Sequence, residues 1–232
     1  EIHGKPIINW VAKMFDQDKE EIIFICQKAH TKKYNYLLRD LREASPKCKI
    51  ILIDKWEKKG PVFDILRAAD SINDEDQVLV SYCDYFMDWD YKKFKSDLDR
   101  LKPDGAIPCY TGFHPHLIHK KNLYATCQVN KSNYLKLILE KNQFNEDKMK
   151  DYHSPGAYYF KSGKILKKYC KQMIEAKDTL NNEYYASLPF NYMVKDGLKV
   201  WCPPNVNYFC QWGTPEDLSE YLYWINKIKK FR

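Results

Sequence analysis

Three short apolar runs, EIIFIC at 21–26, KIILI at 49–53 and QVLVSYC at 77–83, alternate with stretches of helical period. This alternation restricts the fold more than any other feature of the chain. A strand covered on both faces reads as an unbroken Val/Ile/Leu run, and parallel neighbours are joined by a crossover that is usually a helix. Helices are expected at 6–15, opened by Pro6 at a favoured early position, at 34–44 with Tyr34, Leu37, Leu38 and Leu41 on one face, and at 62–72 after Gly60-Pro61. Strands separated by helices make βαβ units and a parallel sheet covered on both sides.

The second half has a different rhythm. Short strands are expected at 105–111, 124–129, 134–140 and 156–160 without full helices between them. Helices near 163–177 and 183–195 follow, then strands at 198–202 and 206–212, then an amphipathic helix from Pro215 carrying Leu218, Leu222 and Ile225. The expected fold class is α/β: a Rossmann-like, mixed but mostly parallel sheet with helices on both faces and a small antiparallel lobe, in a single domain over 1–232.

Composition narrows the function class. With 38 Lys and Arg against 31 Asp and Glu, the net charge of +7 is dispersed rather than blocked. It suits a small polyanion as partner, not nucleic acid. No apolar run is long enough to span a bilayer, so no membrane partner is expected. None of the eight cysteines forms a C-x-x-C pair, and several sit inside apolar runs as small hydrophobes. A reduced, cytoplasmic protein is the expectation.

Several local patterns carry candidate chemistry. Asp84, Asp88 and Asp90 gather where the third apolar run leaves the core. Asp90 reads as the N-cap of a helix from Tyr91. Asp84 is either part of a turn or a carboxylate at the carboxyl edge of the sheet, where ligands bind and a hard cation finds oxygen donors. Gly60-Pro61 permits close backbone approach before a helix start, although an ordinary turn explains it locally as well. His114, His116 and His119 in GFHPHLIHKK read as a polar loop rather than a metal set. Glu140-Lys141 ends an apolar strand, either as a surface pair or facing a cleft. Thr214-Pro215-Glu216-Asp217 is a complete helix start.

Taken in order, GKPIINWVA, KGPVFDILRA, VLVSYCD, LILEK, SPGAYYF, NNEYYASLPFNYMVKDGLKVW and YFCQWGTPEDL resemble the nucleotidyltransferases that activate sugar phosphates and related acceptors. The resemblance runs nearly end to end and implies a GT-A type fold. It implies that Lys5 reaches nucleotide and acceptor phosphates, that Gly60 and Pro61 belong to the loop reading the nucleotide, and that Asp84 binds Mg2+ beside the nucleotide. Glu140 and Lys141 match the pair that grips the acceptor, Gly156 the small residue next to it, and His114 and His116 are expected near the acceptor.

Two departures from the family pattern stand out. The glycine-rich G-x-G-x-R loop precedes the GKP lysine in the family and is not within the sequence, so a central first strand and its loop are expected in a segment outside it. Gln211 stands where the family has a metal-binding Asp two residues before Gly-Thr; its amide oxygen can ligate, with one negative charge fewer. Within the family, the sequence is most similar to capsule-associated bacterial cytidylyltransferases. That implies CTP as donor and an amino-acid-derived phosphate such as phosphoglutamine as acceptor. The alternatives are a uridylyl- or thymidylyltransferase acting on a sugar 1-phosphate, a non-catalytic nucleotide-binding member, and a glycosyltransferase using Asp88-Trp89-Asp90.

Overall fold

The computed structural model describes residues 1–54, 57–118 and 121–228. Its helices are α1 Ile7–Ala12, α2 Lys28–Lys33, α3 Leu37–Ala44, α4 Pro61–Arg67, α5 Tyr91–Leu101, α6 Gly163–Glu175, α7 Pro189–Lys195 and α8 Pro215–Ile228. Its strands are β1 Ile23–Gln27, β2 Lys49–Ile53, β3 Val78–Ser81, β4 Tyr85–Trp89, β5 Gly105–Ala106, β6 Thr126–Val129, β7 Leu135–Leu139, β8 Tyr152–His153, β9 Ala157–Phe160, β10 Val200–Trp201 and β11 Val206–Gln211.

Four ladders organise the strands, in the orders β1-β2, β10-β5-β9-β3, β11-β4 and β7-β6-β8. The mixed α/β architecture agrees with the expectation, and β7-β6-β8 is the antiparallel lobe. The parallel share is smaller than expected: β1–β2 and β10–β5 are parallel, whereas β3–β9, β5–β9, β4–β11, β6–β7 and β6–β8 are antiparallel. The reason lies in β9. It enters from the lobe rather than through a crossover helix, so it runs against both of its neighbours, and Phe160 pairs with Val78 on one side and Gly105 on the other.

Among the described residues β1 pairs only with β2, and β3 only with β9. Each keeps one edge without a strand partner. Both are half-buried along their whole length despite apolar sequences.

The apolar face of α6 puts Leu166, Tyr169, Cys170 and Met173 into the main core, where Phe160 and Phe190 pack with ring centroids 4.6 Å apart. Burying such a side chain contributes about 2–3 kcal/mol, which makes this core the main anchor of the lobe. Ser162 caps the helix by accepting from the Ile165 amide at 3.2 Å. Asp90 caps α5 as expected, accepting from the Lys93 amide at 2.9 Å, and the half-buried Trp89 donates its indole N–H to the Met14 carbonyl. Asp88-Trp89-Asp90 is therefore a strand end and a helix cap. Thr214 likewise accepts from the Asp217 amide at 3.1 Å and donates to its carboxylate at 2.7 Å, opening α8.

Two expectations need correction. The helix expected at 183–195 forms only from Pro189, because the backbone before it is committed elsewhere: the Tyr184 amide donates to the Lys59 carbonyl at 2.7 Å and the Tyr184 carbonyl accepts from Val62 at 3.1 Å. The third apolar run is followed by a second strand, β4, not directly by a helix. Tyr85 and Met87 alternate inward there, and the pairing with β11 holds the segment extended.

Candidate active site

Residues 82–84 form the turn between β3 and β4, which puts Asp84 at the carboxyl end of β3. Strand β11 runs antiparallel to β4 with Gln211 opposite Tyr85, and the Trp212 amide donates to the Asp84 carbonyl at 3.1 Å. The two ends are so close that a Cβ built on Gly213 would lie 2.6 Å from Asp84 Oδ2 and 3.0 Å from Gln211 Nε2. Glycine is what lets the Asp84 carboxylate and the Gln211 amide share this space. Asp84 is open to solvent, yet the protein around it disfavours its charged form and raises its pKa. No salt bridge or side-chain hydrogen bond offsets that charge among the described residues. The Gln211 amide reaches this space through its nitrogen, and turning the amide group over would bring its oxygen beside the carboxylate. Two such hard donors, with no cationic side chain on Asp84 among the described residues, fit Mg2+.

A second group converges from the lobe. Glu140 follows β7, and the Ser187 hydroxyl donates to its Oε2 at 2.6 Å. Burial pushes the Glu140 carboxyl up to about 7, against the opposing effects of Ser187 and the Lys141 charge. Lys141 sits in the left-handed region with φ of 53° and points its ammonium at Tyr185, donating to the phenol oxygen at 2.7 Å and lying 4.7 Å above the ring. Tyr185 in turn donates its hydroxyl hydrogen bond to Glu183 Oε2 at 2.8 Å. The pair thus faces a built polar network rather than bulk solvent.

Tyr82 joins the two groups. Its phenol is buried without a hydrogen-bond partner. Burial, and after it the negative fields of Glu140 and of Asp84, raise its pKa, so both carboxylates lie within electrostatic reach of one hydroxyl. Gly156 supports the ring: with φ of 103° its backbone bends around Tyr82, and a Cβ there would meet Tyr82 Cδ2 at 2.6 Å. Gly60 is tied to the same region. It has φ of 88°, and a Cβ on it would lie 2.7 Å from the Tyr184 amide nitrogen, next to Tyr185. Pro61 then opens α4 at its first helical position.

Lys5 closes a tight turn in which Ile2 and Lys5 exchange backbone hydrogen bonds at 2.8 and 3.1 Å. Ile2 is buried against Cys210 and Trp212, so the turn leans on β11, the strand that ends in Gln211. The Lys5 side chain is exposed and holds no hydrogen bond or ion pair among the described residues.

Two histidines pack around Tyr110. His114 is buried, with its ring 4.5 Å from Tyr110 and both nitrogens without hydrogen-bond partners, and burial pushes its pKa down. It belongs to an aromatic cluster with Tyr110 and Tyr208, because the stacking surfaces there exclude water from the ring. His116 is half-buried, bonded through Nε2 to the Tyr110 hydroxyl at 2.8 Å, and its ring meets Tyr124 at 4.6 Å. It therefore stands behind Tyr124, whose phenol is pushed up first by burial and then by the fields of Asp217 and Asp84. His119 lies outside the described residues. The expectations did not include Tyr82, Tyr124, Tyr185 and Ser187. Only the NNEYYASLPF run hinted at the last two.

Comparison with known proteins gives the family and the fold. The family model described as nucleotidyl transferase matches residues 1–225. Among solved structures, a UDP-glucose pyrophosphorylase complexed with UDP-glucose is similar with a TM-score of 0.73 at 16% identity, over 100% of this chain and 89% of that one. A nucleoside-diphosphate-sugar pyrophosphorylase from Vibrio cholerae RC9 has a TM-score of 0.72 at 14% identity, over 96% and 89%. HddC from Yersinia pseudotuberculosis has 0.59 at 21%, over 95% and 85%. No curated protein matches the chain. At these identities the structural likenesses establish the fold.

Proposed function

The chain belongs to the nucleotidyl transferase family, and we propose that it transfers CMP from CTP to a small phosphorylated acceptor, of the phosphoglutamine class, with release of pyrophosphate. The observation that carries this reading is the pair of polar groups within electrostatic reach of Tyr82: Asp84 with Gln211 and Gly213, and Glu140 with Lys141. Two anionic substrates need two such groups.

In the proposed reaction an acceptor phosphate oxygen attacks the α-phosphorus of CTP, the bond to the β-phosphate breaks, and pyrophosphate leaves with its electron pair. Little covalent work falls to the protein in such a transfer; rate comes from positioning and from neutralising charge. Asp84, with the Gln211 amide oxygen, would hold Mg2+, which supplies positive charge at the nucleotide phosphates. Lys141, held by Tyr185, sets a fixed positive charge toward the acceptor, and Lys5 adds one from the N-terminal turn. The backbone bend at Gly60 leaves room for the nucleotide close to Tyr184. Among the described residues β1 and β3 each keep an edge without a strand partner, which leaves room for further strand pairing.

A second reading, uridylyl or thymidylyl transfer to a sugar 1-phosphate, draws on the pyrophosphorylases among the similar structures. A third, a nucleotide-binding member without catalysis, draws on the missing charge at Gln211. One experiment separates all three: pyrophosphate release by the full-length protein with each of the four NTPs, Mg2+, and phosphoglutamine or sugar 1-phosphates. Release requiring CTP and phosphoglutamine supports the proposal. Release with UTP or dTTP and a sugar phosphate selects the second reading, and nucleotide binding without release selects the third.

A further inference from the structure

Cys109, Cys127 and Cys202 are widely spaced in the sequence. The fold brings their sulfurs within 4.8 Å of one another. Three segments deliver them: Cys109 follows β5 and is pinned by its amide to the Pro203 carbonyl at 2.8 Å, Cys127 lies on β6, and Cys202 follows β10 with its amide on the Asn133 carbonyl at 2.7 Å. Each is at most 3% exposed, inside the main core. No other His, Cys, Asp or Glu joins the group among the described residues.

We infer that these three cysteines form a trithiolate site for one soft, thiophilic d10 cation. An ion about 2.3 Å from each of three coplanar sulfurs needs the sulfurs about 4.0 Å apart, inside the observed ceiling. An all-sulfur donor set selects soft ions over Mg2+, so the site does not compete with Asp84. Three-coordinate ligation follows from the absence of a fourth donor. Binding of a divalent ion releases three thiol protons and leaves one net negative charge. The ion enters during folding or local opening, since the site is closed in the folded state.

The test uses the whole protein, reduced and anaerobic, titrated with Cd2+. The expected result is a sulfur-to-cadmium charge-transfer absorbance that saturates at one ion per chain, with three sulfur scatterers by X-ray absorption. Cys26→Ser with Cys83→Ser should retain it. Cys127→Ala or Cys202→Ala, checked for folding by circular dichroism, should weaken binding by about 100-fold. No band in the folded wild type would overturn the inference. So would oxygen or nitrogen scatterers replacing sulfur, or a band lost with Cys26 and Cys83 but kept in the core variants. The scattering measurement needs no variant, so a misfolded Cys→Ala chain does not leave the question open.

Discussion

Glu140 and Ser187 lie 47 residues apart, yet the serine hydroxyl donates a 2.6 Å hydrogen bond to the glutamate Oε2 and is itself fully buried. One hydroxyl does not replace the water that the carboxylate loses, and burial dominates, raising its pKa from the ordinary 4.5 to about 7. A carboxyl whose folded pKa is raised stabilises the fold fully below its unfolded value and loses that contribution as pH rises through the folded one. The penalty grows between pH 4.5 and about 7 and then levels at about 3 kcal/mol. Glu140→Gln removes the ionisation while leaving an acceptor for Ser187. Urea unfolding from pH 4 to 9 should show the variant gaining on the wild type across that window; parallel curves would mean that Glu140 ionises normally.

Burial outweighs the one backbone hydrogen bond that favours the Asp84 charge, and no salt bridge offsets it among the described residues. Asp84→Asn should therefore leave thermal stability unchanged or slightly higher, while the rate of pyrophosphate release falls by about 100-fold or more, the scale set by several kcal/mol of lost charge stabilisation. Wild-type turnover at ordinary Mg2+ would rule out the metal role of Asp84.

Gln211 shares its space with Asp84 and Gly213. Gln211→Asp places a second carboxylate there. Mutual repulsion should raise the Asp84 pKa further in the metal-free protein, and the Mg2+ concentration giving half-maximal rate should drop by roughly tenfold. An unchanged Mg2+ requirement would place Gln211 outside the metal's coordination.

Much of the chain's layout was legible from pattern because it depends on local physics. The run at 49–53 is β2 to the residue, and the Asp90 and Thr214 caps follow from side-chain oxygens meeting free amides. What failed depends on partners distant in sequence. Strand β4 is extended because β11 pairs with it, and 183–188 is irregular because Lys59 and Val62 take its backbone bonds. In the site, Asp84, Gln211 and Glu140-Lys141 carried motif signals. Tyr82 carried none, since an aromatic residue inside an apolar run reads as core. The burial of His114 carried no signal either, because its loop looks polar and its exclusion from water is a tertiary effect of Tyr110 and Tyr208.

Three glycines with positive φ separate backbone strain from close packing. At Gly112, with φ of 80°, a Cβ would find nothing within 4 Å, so Gly112→Ala should cost only the backbone term, about 1 kcal/mol. Gly156→Ala adds a 2.6 Å clash with the Tyr82 ring. The ring can shift, so the cost should reach about 2–4 kcal/mol, and the shift would carry Tyr82 away from its place within reach of Asp84 and Glu140. Gly60→Ala meets backbone, the Tyr184 nitrogen at 2.7 Å and its oxygen at 2.9 Å, which cannot move without breaking the bonds to Lys59 and Val62. Its cost should be the largest of the three. The order Gly112, Gly156, Gly60 in denaturation midpoint loss is the expected outcome. Equal losses at all three would mean that backbone conformation alone decides, and that the contacts around Tyr82 and Tyr184 are looser than described.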